Sequence, residues 1–166
     1  MTDAVRAYIG LGSNLEDPRR QVRTALAELG SLPHTRLVAQ SSLYRSDPMG
    51  PADQPDYINA VAAIDTLLTP LALLDALLGI ERAHGRVRHA TRWGPRTLDL
   101  DVLIYGDRII SDPRLAVPHP GIGERAFVLL PLAEIAPDLA IPGCGPVAAL
   151  AAGLARAGIE RLDRDD

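Results

Sequence analysis

The sequence contains no lysine, and all 17 of its basic residues are arginine. A P-loop nucleotide site needs its lysine and a Schiff-base enzyme needs an amine nucleophile, so both mechanisms are excluded. Arginine drift in a GC-rich genome accounts for most of this bias. Arginine nevertheless suits phosphate binding, because its planar guanidinium donates two parallel hydrogen bonds and stays charged.

Cysteine and long apolar runs are also scarce. Cys144 is the single cysteine, which rules out an internal disulfide and suits a reducing compartment. No stretch resembles a signal peptide, and the apolar runs are too short to span a bilayer. The net charge of −4 disfavours a general nucleic-acid binder. We therefore expect a cytoplasmic monomer that binds neither membranes nor nucleic acids.

The 166 residues do contain regular apolar periods separated by turn residues, which predict one domain over residues 1–166. The predicted strands are residues 7–11, 35–44, 57–67 and 98–105, and the predicted helices are residues 18–29 and 70–83. This βαββαβ order predicts an α+β fold of the ferredoxin-like class. Such a sandwich has an antiparallel sheet with helices packed on one face, and here it carries C-terminal additions.

Weaker patterns surround the predicted sandwich. Residues 10–14 are predicted to form a turn after the first strand, because glycine punctuates them. The remaining predictions are a hairpin through Gly106-Asp107 and residues 108–110, a helix over 124–135 interrupted at Pro131, and a helical tail over 147–159.

Asp99 and Asp101 alternate with apolar residues in the predicted strand 98–105. The alternation places both carboxylates on one face, with their backbones about 6.5–7 Å apart. Aspartate is disfavoured in strands, and two like charges this close repel unless positive charge lies between them. Mg²⁺ usually takes one or two protein carboxylates and fills its other positions with water and phosphate oxygens. We therefore predict a Mg²⁺ site here, with two solvated aspartates as the alternative.

The segment 81–96, just before these aspartates, is rich in arginine. It carries five arginines, two histidines and the single tryptophan, Trp93, and its glycines and proline mark it as a loop. Arginines that face a carboxylate-held metal neutralise the charge of a polyphosphate during transfer. The segment therefore predicts a polyphosphate site, and a solvated basic loop or an RNA contact is the alternative. His84 and His89 lack the spacing of metal ligands.

Tyr57 and Asn59 lie two residues apart in a predicted strand, so their side chains share a face. An aromatic ring beside an amide can stack on a flat heterocycle and hydrogen-bond its edge. Ordinary sheet residues are the alternative. For Phe127, the single phenylalanine, a core position is the simpler interpretation of the pattern alone.

A longer motif, RWGPRTLDLDVL, runs from residue 92 to residue 103. Shorter motifs surround it: YIGLGSN at 8–14, GP at 50–51, DQPDYINA at 53–60, GRVR at 85–88, VPH at 117–119 and EIAP at 134–137. Together they resemble the signature of the 6-hydroxymethyl-7,8-dihydropterin pyrophosphokinase family of folate biosynthesis. The resemblance spans most of the chain, and the long central motif is specific.

The resemblance implies a ferredoxin-like enzyme that moves the β,γ-pyrophosphoryl group of ATP to the hydroxymethyl oxygen of the pterin and releases AMP. It implies two Mg²⁺ ions held by Asp99 and Asp101, and phosphate contacts from Arg86 and Arg96 that assist the transfer. On the ATP side it places Glu81, Arg88, Arg92, Trp93, Arg96, Val102, Arg114, His119 and Arg125. Around the pterin it places Ser46, Asp47, Met49, Tyr57, Asn59, Asp99 and Phe127, with Tyr57 and Phe127 sandwiching the ring.

The sequence departs from the family pattern at three places: His89 where lysine is common, Pro120 where tyrosine can occur, and Ser46-Asp47 where some members have Thr-Pro. On the residues alone, two other functions stay open: an RNA- or nucleotide-binding module and a metal-dependent phosphohydrolase. The first predicts RNA affinity without magnesium, and the second predicts phosphate release without a pterin. The acidic total charge argues against the first, and the pair Tyr57 and Asn59 has no use in the second.

Overall fold

A six-stranded antiparallel sheet lies at the centre of the computed structural model, which describes residues 3–14, 17–46, 56–84, 98–154 and 158–162. Its strands are β1 (Val5–Ser13), β2 (Thr35–Gln40), β3 (Tyr44–Ser46), β4 (Tyr57–Thr66), β5 (Asp99–Tyr105) and β10 (Ile159–Arg161). The order across the sheet is β10-β3-β4-β1-β5, and β2 also pairs with β4. This strand order confirms the predicted ferredoxin-like sandwich.

Helices α1 (Pro18–Leu29) and α2 (Pro70–Ala83) match their predicted bounds. Each begins with a proline, whose missing N–H is not needed in a first turn. The Thr69 side chain caps α2 by accepting the Ala72 N–H at 3.3 Å. The apolar sides of both helices pack on one face of the sheet. The buried residues of this main core include Ile9, Leu11, Leu26, Leu29, Ile64, Leu73, Leu77, Leu98, Leu100 and Val102.

The opposite face of the sheet is covered by the C-terminal additions, α3 (Ala126–Ile135) and α4 (Val147–Ala152). A second core lies between them and the sheet, where Leu129 and Leu132 pack against Val61 and Leu103. Two small ladders, β6 (Ile110–Ser111) with β7 (Ala116–Val117) and β8 (Ala140–Ile141) with β9 (Gly145–Pro146), complete the structure together with a 3₁₀ turn at Ile122–Glu124. No helix in the described part of the chain is long and apolar enough to cross a membrane.

The predicted strand 35–44 is interrupted, which corrects that prediction. Ser41 donates its N–H to the Val61 carbonyl at 2.9 Å, and its hydroxyl accepts the Val61 N–H at 2.9 Å. A side-chain oxygen therefore takes a position that a strand carbonyl would fill. The chain turns at this point, so β2 pairs with one half of β4 and β3 with the other.

The predicted helical tail 147–159 is also wrong at residues 153–154 and at Ile159. Gly153 ends α4, and residues 159–161 form β10, which pairs with the outer edge of β3. The Leu162 N–H then bonds to the Leu43 carbonyl at 2.9 Å, and the Leu162 side chain enters the main core. Covering an open strand edge and burying a leucine together outweigh the helix propensity of alanine.

Three smaller predictions change as well. The hairpin forms between β6 and β7, not between β5 and residues 108–110. Helix α3 begins at Ala126 and continues through Pro131, because Val128, Leu129 and Leu132 are buried around it and hold the helix in place. The predicted turn at 10–14 is mostly strand, since β1 runs to Ser13.

Candidate active site

A trough floored by glycine lies on the α3 side of the sheet, at one end of β1. Strand β1 lies between β4 and β5, and Gly12 is opposite both Asn59 on β4 and Asp99 on β5. Gly10 is opposite Asp101. Two strand spacings separate β4 from β5 by about 10 Å. Gly12 carries no side chain between these two neighbouring strands, whereas Gly10 is covered by the Leu103 side chain, which lies 3.2 Å from where a Cβ would be.

The glycine at position 12 is required by close packing. A Cβ at Gly12 would lie 3.1 Å from Asn59 Oδ1 and 3.9 Å from Tyr57 Cδ1. The first of these distances is tighter than ordinary van der Waals contact, so any larger residue would push against Asn59. The trough is thus bounded by Tyr57 and Asn59 on one side and by the two aspartates on the other.

Asp99 and Asp101 share the trough face, as predicted. Their neighbours Leu98, Leu100 and Val102 are buried in the main core on the other face of β5. Both aspartates are half-buried, so each carboxylate reaches solvent-accessible space. In the described part of the chain, no group of three or more His, Cys, Asp or Glu side chains comes together. Mg²⁺ can bind to one or two carboxylates, because water and phosphate oxygens fill its other positions.

His119 lies beside β5, where its N–H donates to the Leu103 carbonyl at 2.9 Å. Its Nδ1 accepts the Gly121 N–H at 3.1 Å, so the neutral ring carries its proton on Nε2. Burial lowers the pKa of His119 below its ordinary value, the positive charge of Arg125 lowers it further, and Asp99 opposes the shift. His119 is thus a neutral Nε2–H donor near both Asp99 and Arg125.

Arg125 lies at the start of α3. Its guanidinium carbon is 5.7 Å from the centre of the Phe127 ring, which is within the range of a cation–π contact. A Cβ at Gly121 would lie 2.6 Å from Arg125 Nε, so the glycine leaves the space that the guanidinium occupies. His119, Arg125 and Phe127 therefore form a cluster at the N-terminal end of α3.

Asn59 is held in one orientation by its neighbour on β3. The Asn59 Nδ2 donates to Ser46 Oγ at 2.6 Å, and Asn59 is only 5% exposed. Its Oδ1 therefore points toward Gly12 and the trough. Tyr57, which is opposite Ser46 in the ladder, is half-buried. The amide consequently offers an acceptor to a ligand in the trough.

Three predicted ATP-side residues lie apart from the trough surface. Glu81 is 2% exposed on α2, behind β5, and its Oε2 accepts the Leu100 N–H at 2.8 Å. The Val102 side chain is in the main core, so only its backbone faces outward. Arg114 forms an ion pair with Asp75 of α2. The other predicted site residues lie outside the described residues; they are Asp47, Met49, Arg86, Arg88, Arg92, Trp93 and Arg96.

The site glycines were missed from the sequence. The turn predicted at residues 10–14 overlooks that Gly10 and Gly12 alternate with Ile9 and Leu11, which face the main core. That alternation was the available signal, because glycines at every second strand position leave one face bare. The sequence around Gly121 has no comparable alternation that would indicate a role in the site.

A cavity of about 380 Å³ lies at the other edge of the sheet. It is lined by residues that include Arg23, Gln40, Glu134 and Arg161. The Glu134 carboxylate accepts from the Ser42 N–H at 2.9 Å and from the Tyr44 hydroxyl at 2.8 Å. Its lining includes none of the predicted site residues within the described part of the chain, and these contacts tie α3 to the loop between β2 and β3.

Comparison with known proteins identifies the family of this chain. The family model of 7,8-dihydro-6-hydroxymethylpterin-pyrophosphokinase matches residues 8–137. A 2-amino-4-hydroxy-6-hydroxymethyldihydropteridine pyrophosphokinase from Pseudomonas aeruginosa is 57% identical over 157 residues, which cover 95% of this chain and 96% of the relative. The enzyme of the same name from Methylorubrum extorquens is 52% identical over 158 residues, with 95% and 99% covered.

A solved structure shares the fold. The crystal structure of wild-type Plasmodium falciparum HPPK-DHPS with pterin and p-hydroxybenzoate superposes with a TM-score of 0.72 at 14% identity, over 92% of this chain. The chain spans 43% of that longer protein, so the likeness concerns the fold of one part of it. Because the family model covers most of the sequence and the two bacterial relatives match nearly end to end, the chain belongs to the 7,8-dihydro-6-hydroxymethylpterin-pyrophosphokinase family.

Proposed function

We propose that the protein transfers the β,γ-pyrophosphoryl group of ATP to the hydroxymethyl oxygen of 6-hydroxymethyl-7,8-dihydropterin. The products are AMP and the pterin diphosphate, in folate biosynthesis. The observation that carries the proposal is the glycine-floored trough, which has Tyr57 and Asn59 on one side and Asp99 and Asp101 on the other. A flat ring and a metal-bound polyphosphate need these two different walls within one site. Neither an RNA-binding module nor a simple phosphohydrolase needs both.

The pterin is proposed to stand in the trough with one edge toward Gly12. Tyr57 and Phe127 would stack on its two faces, and Asn59 would accept a hydrogen bond from the ring edge. Support comes from Asn59, whose amide is fixed by Ser46 so that Oδ1 faces the trough. Ser46, Asp47 and Met49 are proposed to line the same end.

Asp99 and Asp101 are proposed to hold two Mg²⁺ ions. The support is their shared face, their partial exposure and the two-carboxylate donor set, which suits a cation that keeps oxygen positions for phosphate. When bound, Mg²⁺ neutralises charge on the phosphate oxygens. The aspartates themselves orient the site and repel a polyphosphate that arrives without cations.

The ATP side is proposed to begin at His119 and Arg125. The neutral His119 donates from Nε2, and the guanidinium of Arg125 supplies fixed positive charge. The other residues proposed for ATP contacts are Arg88, Arg92, Trp93, Arg96, Val102 and Arg114. Glu81, which the resemblance also implied for ATP, is buried behind β5 and is not proposed as a direct contact. For Val102, the backbone is proposed to make the contact, because its side chain is in the core.

The reaction needs no protein nucleophile. The hydroxyl oxygen of the pterin attacks the β-phosphorus in line, its proton is released, and the bond from the β-phosphorus to the AMP oxygen breaks. Arg86 and Arg96 are proposed to stabilise the charge that spreads over the transferred oxygens. The protein's contribution is therefore to align two substrates and to supply charge in place.

We also propose that residues 1–166 form one domain that acts as a monomer in the cytoplasm. The single cysteine suits a reducing compartment. Light scattering coupled to size-exclusion chromatography measures the mass in solution, and a mass of one chain, 17.7 kDa, is expected.

Incubation of the protein with ATP, Mg²⁺ and 6-hydroxymethyl-7,8-dihydropterin tests the function. We expect AMP and pterin diphosphate in equal amounts, and no product when Mg²⁺ is chelated. The Asp99→Asn/Asp101→Asn double variant should be inactive, whereas the matched control Asp65→Asn, on β4 at the far end of the β1 pairing, should retain activity. Phosphate release without pterin, or RNA retention without AMP formation, would refute the proposal.

A further inference from the structure

Glu81 is a buried carboxylate in the last turn of α2. It is 2% exposed, and its Oε2 accepts the Leu100 N–H at 2.8 Å. Burial of a carboxylate costs hydration free energy on the order of several kcal/mol. The negative end of the helix dipole disfavours the charged form further. The glutamate side chain is long enough to bring an acceptor oxygen from α2 to the backbone of β5.

The amide that Glu81 binds is placed between the two aspartates. Leu100 separates Asp99 from Asp101, and its N–H belongs to the peptide unit that joins it to Asp99. Strand β5 is the last in the sheet order, with β1 on its inner side. In the described part of the chain no strand covers its outer side, and the Glu81 carboxylate takes the place that a neighbouring strand would fill.

Displacement of this amide would move both carboxylates. The side chains of Asp99 and Asp101 leave β5 on either side of Leu100, so a shift or rotation at that peptide changes the gap between them. A functional constellation tolerates about 0.5 Å of displacement before it loses efficiency. Fixing one backbone N–H at the outer edge of β5 is thus a direct way to fix the distance between the two aspartates on its trough face.

We infer that Glu81 is a positioning residue, which holds the Leu100 amide so that Asp99 and Asp101 keep the separation needed for divalent cations. The inference rests on the proposed function. It assigns Glu81 a role that is exerted through the backbone of β5, in place of a direct contact with ATP. Glu81 exerts this role through its acceptor oxygen, which reaches the Leu100 N–H.

Two variants of Glu81 distinguish the effect of side-chain length from the effect of side-chain charge. Glu81→Gln keeps the length and an acceptor oxygen but removes the charge, whereas Glu81→Asp keeps the charge but is one methylene shorter. Leu77→Ala, fully buried on the same helix, is the matched control for lost stability alone. All are compared with the parent by Mn²⁺ binding, measured by electron paramagnetic resonance with a non-hydrolysable ATP analogue, and by hydrogen exchange at the Leu100 amide.

Glu81→Gln should bind Mn²⁺ within about threefold of the parent and keep Leu100 protected from exchange. Glu81→Asp should bind Mn²⁺ about tenfold more weakly, exchange the Leu100 amide faster and lose mainly kcat, by about 10²-fold. Leu77→Ala should melt at a lower temperature with unchanged Mn²⁺ affinity. This pattern, with the Gln variant better than the Asp variant, supports positioning.

The reverse order, with Asp active and Gln impaired, overturns the inference, because it shows that charge matters and reach does not. Equal Mn²⁺ binding in all variants also overturns it, as does a loss confined to KM for ATP, which indicates direct nucleotide contact. In those cases a parent that still forms AMP and pterin diphosphate keeps the proposed function. A parent that forms neither product overturns both.

Discussion

The two faces of β5 differ in what they bury. On one face, Leu98, Leu100 and Val102 are 0–4% exposed and pack against the helices. On the other, Asp99 and Asp101 are half-buried beside a floor of glycine. Adjacent residues of one strand thus belong to two different environments, a close-packed core and an open polar trough. Substitutions one residue apart should therefore affect either stability or activity, and seldom both.

The largest effect should come from the trough face of β5. We expect Asp99→Asn or Asp101→Asn to lower kcat by about 10³-fold or more, because each removes charge that no other described carboxylate replaces. Thermal stability should stay within a few degrees of the parent, since both side chains are partly exposed and removing one relieves repulsion. Steady-state kinetics and thermal melts measure the two effects. A large loss of stability would contradict the claim that the trough face of β5 affects activity and not stability.

The next largest effect should come from the helix face of β1. Leu11 is 3% exposed in the main core, and truncation leaves a cavity there. We expect Leu11→Ala to lower the free energy of unfolding by about 2–5 kcal/mol. Turnover per folded molecule should change by less than about threefold, as is usual for a core change without contact to ligand. Urea denaturation gives the first quantity and active-site-normalised kinetics the second.

The neighbouring residue, Gly12, tests the other face at the same place in β1. Its added Cβ would press on Asn59 Oδ1 from 3.1 Å. We expect Gly12→Ala to raise KM for the pterin by about tenfold, the equivalent of about 1.4 kcal/mol. KM for ATP and the midpoint of urea unfolding should be almost unchanged. An unaltered KM for the pterin would mean that the trough floor is not the pterin site.

How much of this was predictable from the sequence depends on the range of the interactions. Helix α2 was predicted because Thr69, Pro70 and a local apolar period specify it within a few residues. The shared face of Asp99 and Asp101 followed from strand alternation alone. The break at Ser41 and the strand after Gly158 were not predictable, since their hydrogen bonds go to Val61 and to β3, far away in the sequence.

For the site residues, too, those specified by short-range sequence patterns were predictable and those that depend on long-range contacts were not. The aspartates and the Tyr57 and Asn59 pair were found because they are side chains of distinctive chemistry at short spacing. The glycine floor was missed because its contribution is an absence of side chain, and which face is bare depends on sheet pairing. Glu81 was assigned to ATP by resemblance, since its contact with the Leu100 amide exists only after α2 packs on β5.

A smaller effect is expected at Gly121, beside the trough. Its added Cβ would lie 2.6 Å from Arg125 Nε, and the flexible guanidinium can move away. We expect Gly121→Ala to raise KM for ATP by about threefold, a value within the range for one displaced surface charge. The melting temperature should not fall. If KM for ATP is unchanged, Arg125 does not contact the nucleotide.

The smallest effect should come from the far end of the β1–β4 pairing. Asp65 bonds to Arg6 at 2.5 Å, and this contact with Arg6 lowers the Asp65 pKa below its ordinary value. We expect Asp65→Asn to cost about 0.2–1 kcal/mol at pH 7, because the pair is partly exposed and screened.

This cost should depend on pH in a defined direction. Because the folded-state pKa of Asp65 is lowered, its stabilisation is fully present above the ordinary value of 3.8 and is lost as pH falls through the lower folded value. Urea unfolding of parent and variant at pH 7 and pH 3 measures it. A difference that grows on acidification would contradict the ion-pair explanation, and any loss of activity would extend the site to this end of the sheet.

The lack of a side chain at Gly12 also bears on inhibitor resistance. A competitive inhibitor whose edge contacts the main chain of β1 at Gly12 meets few side chains whose replacement would expel it. The most direct resistance substitution would be a bulkier residue at position 12. Such a residue would press on Asn59 and obstruct the natural substrate as well. Compounds shaped to the peptide backbone there should consequently be harder to evade than compounds that depend on the surrounding loops.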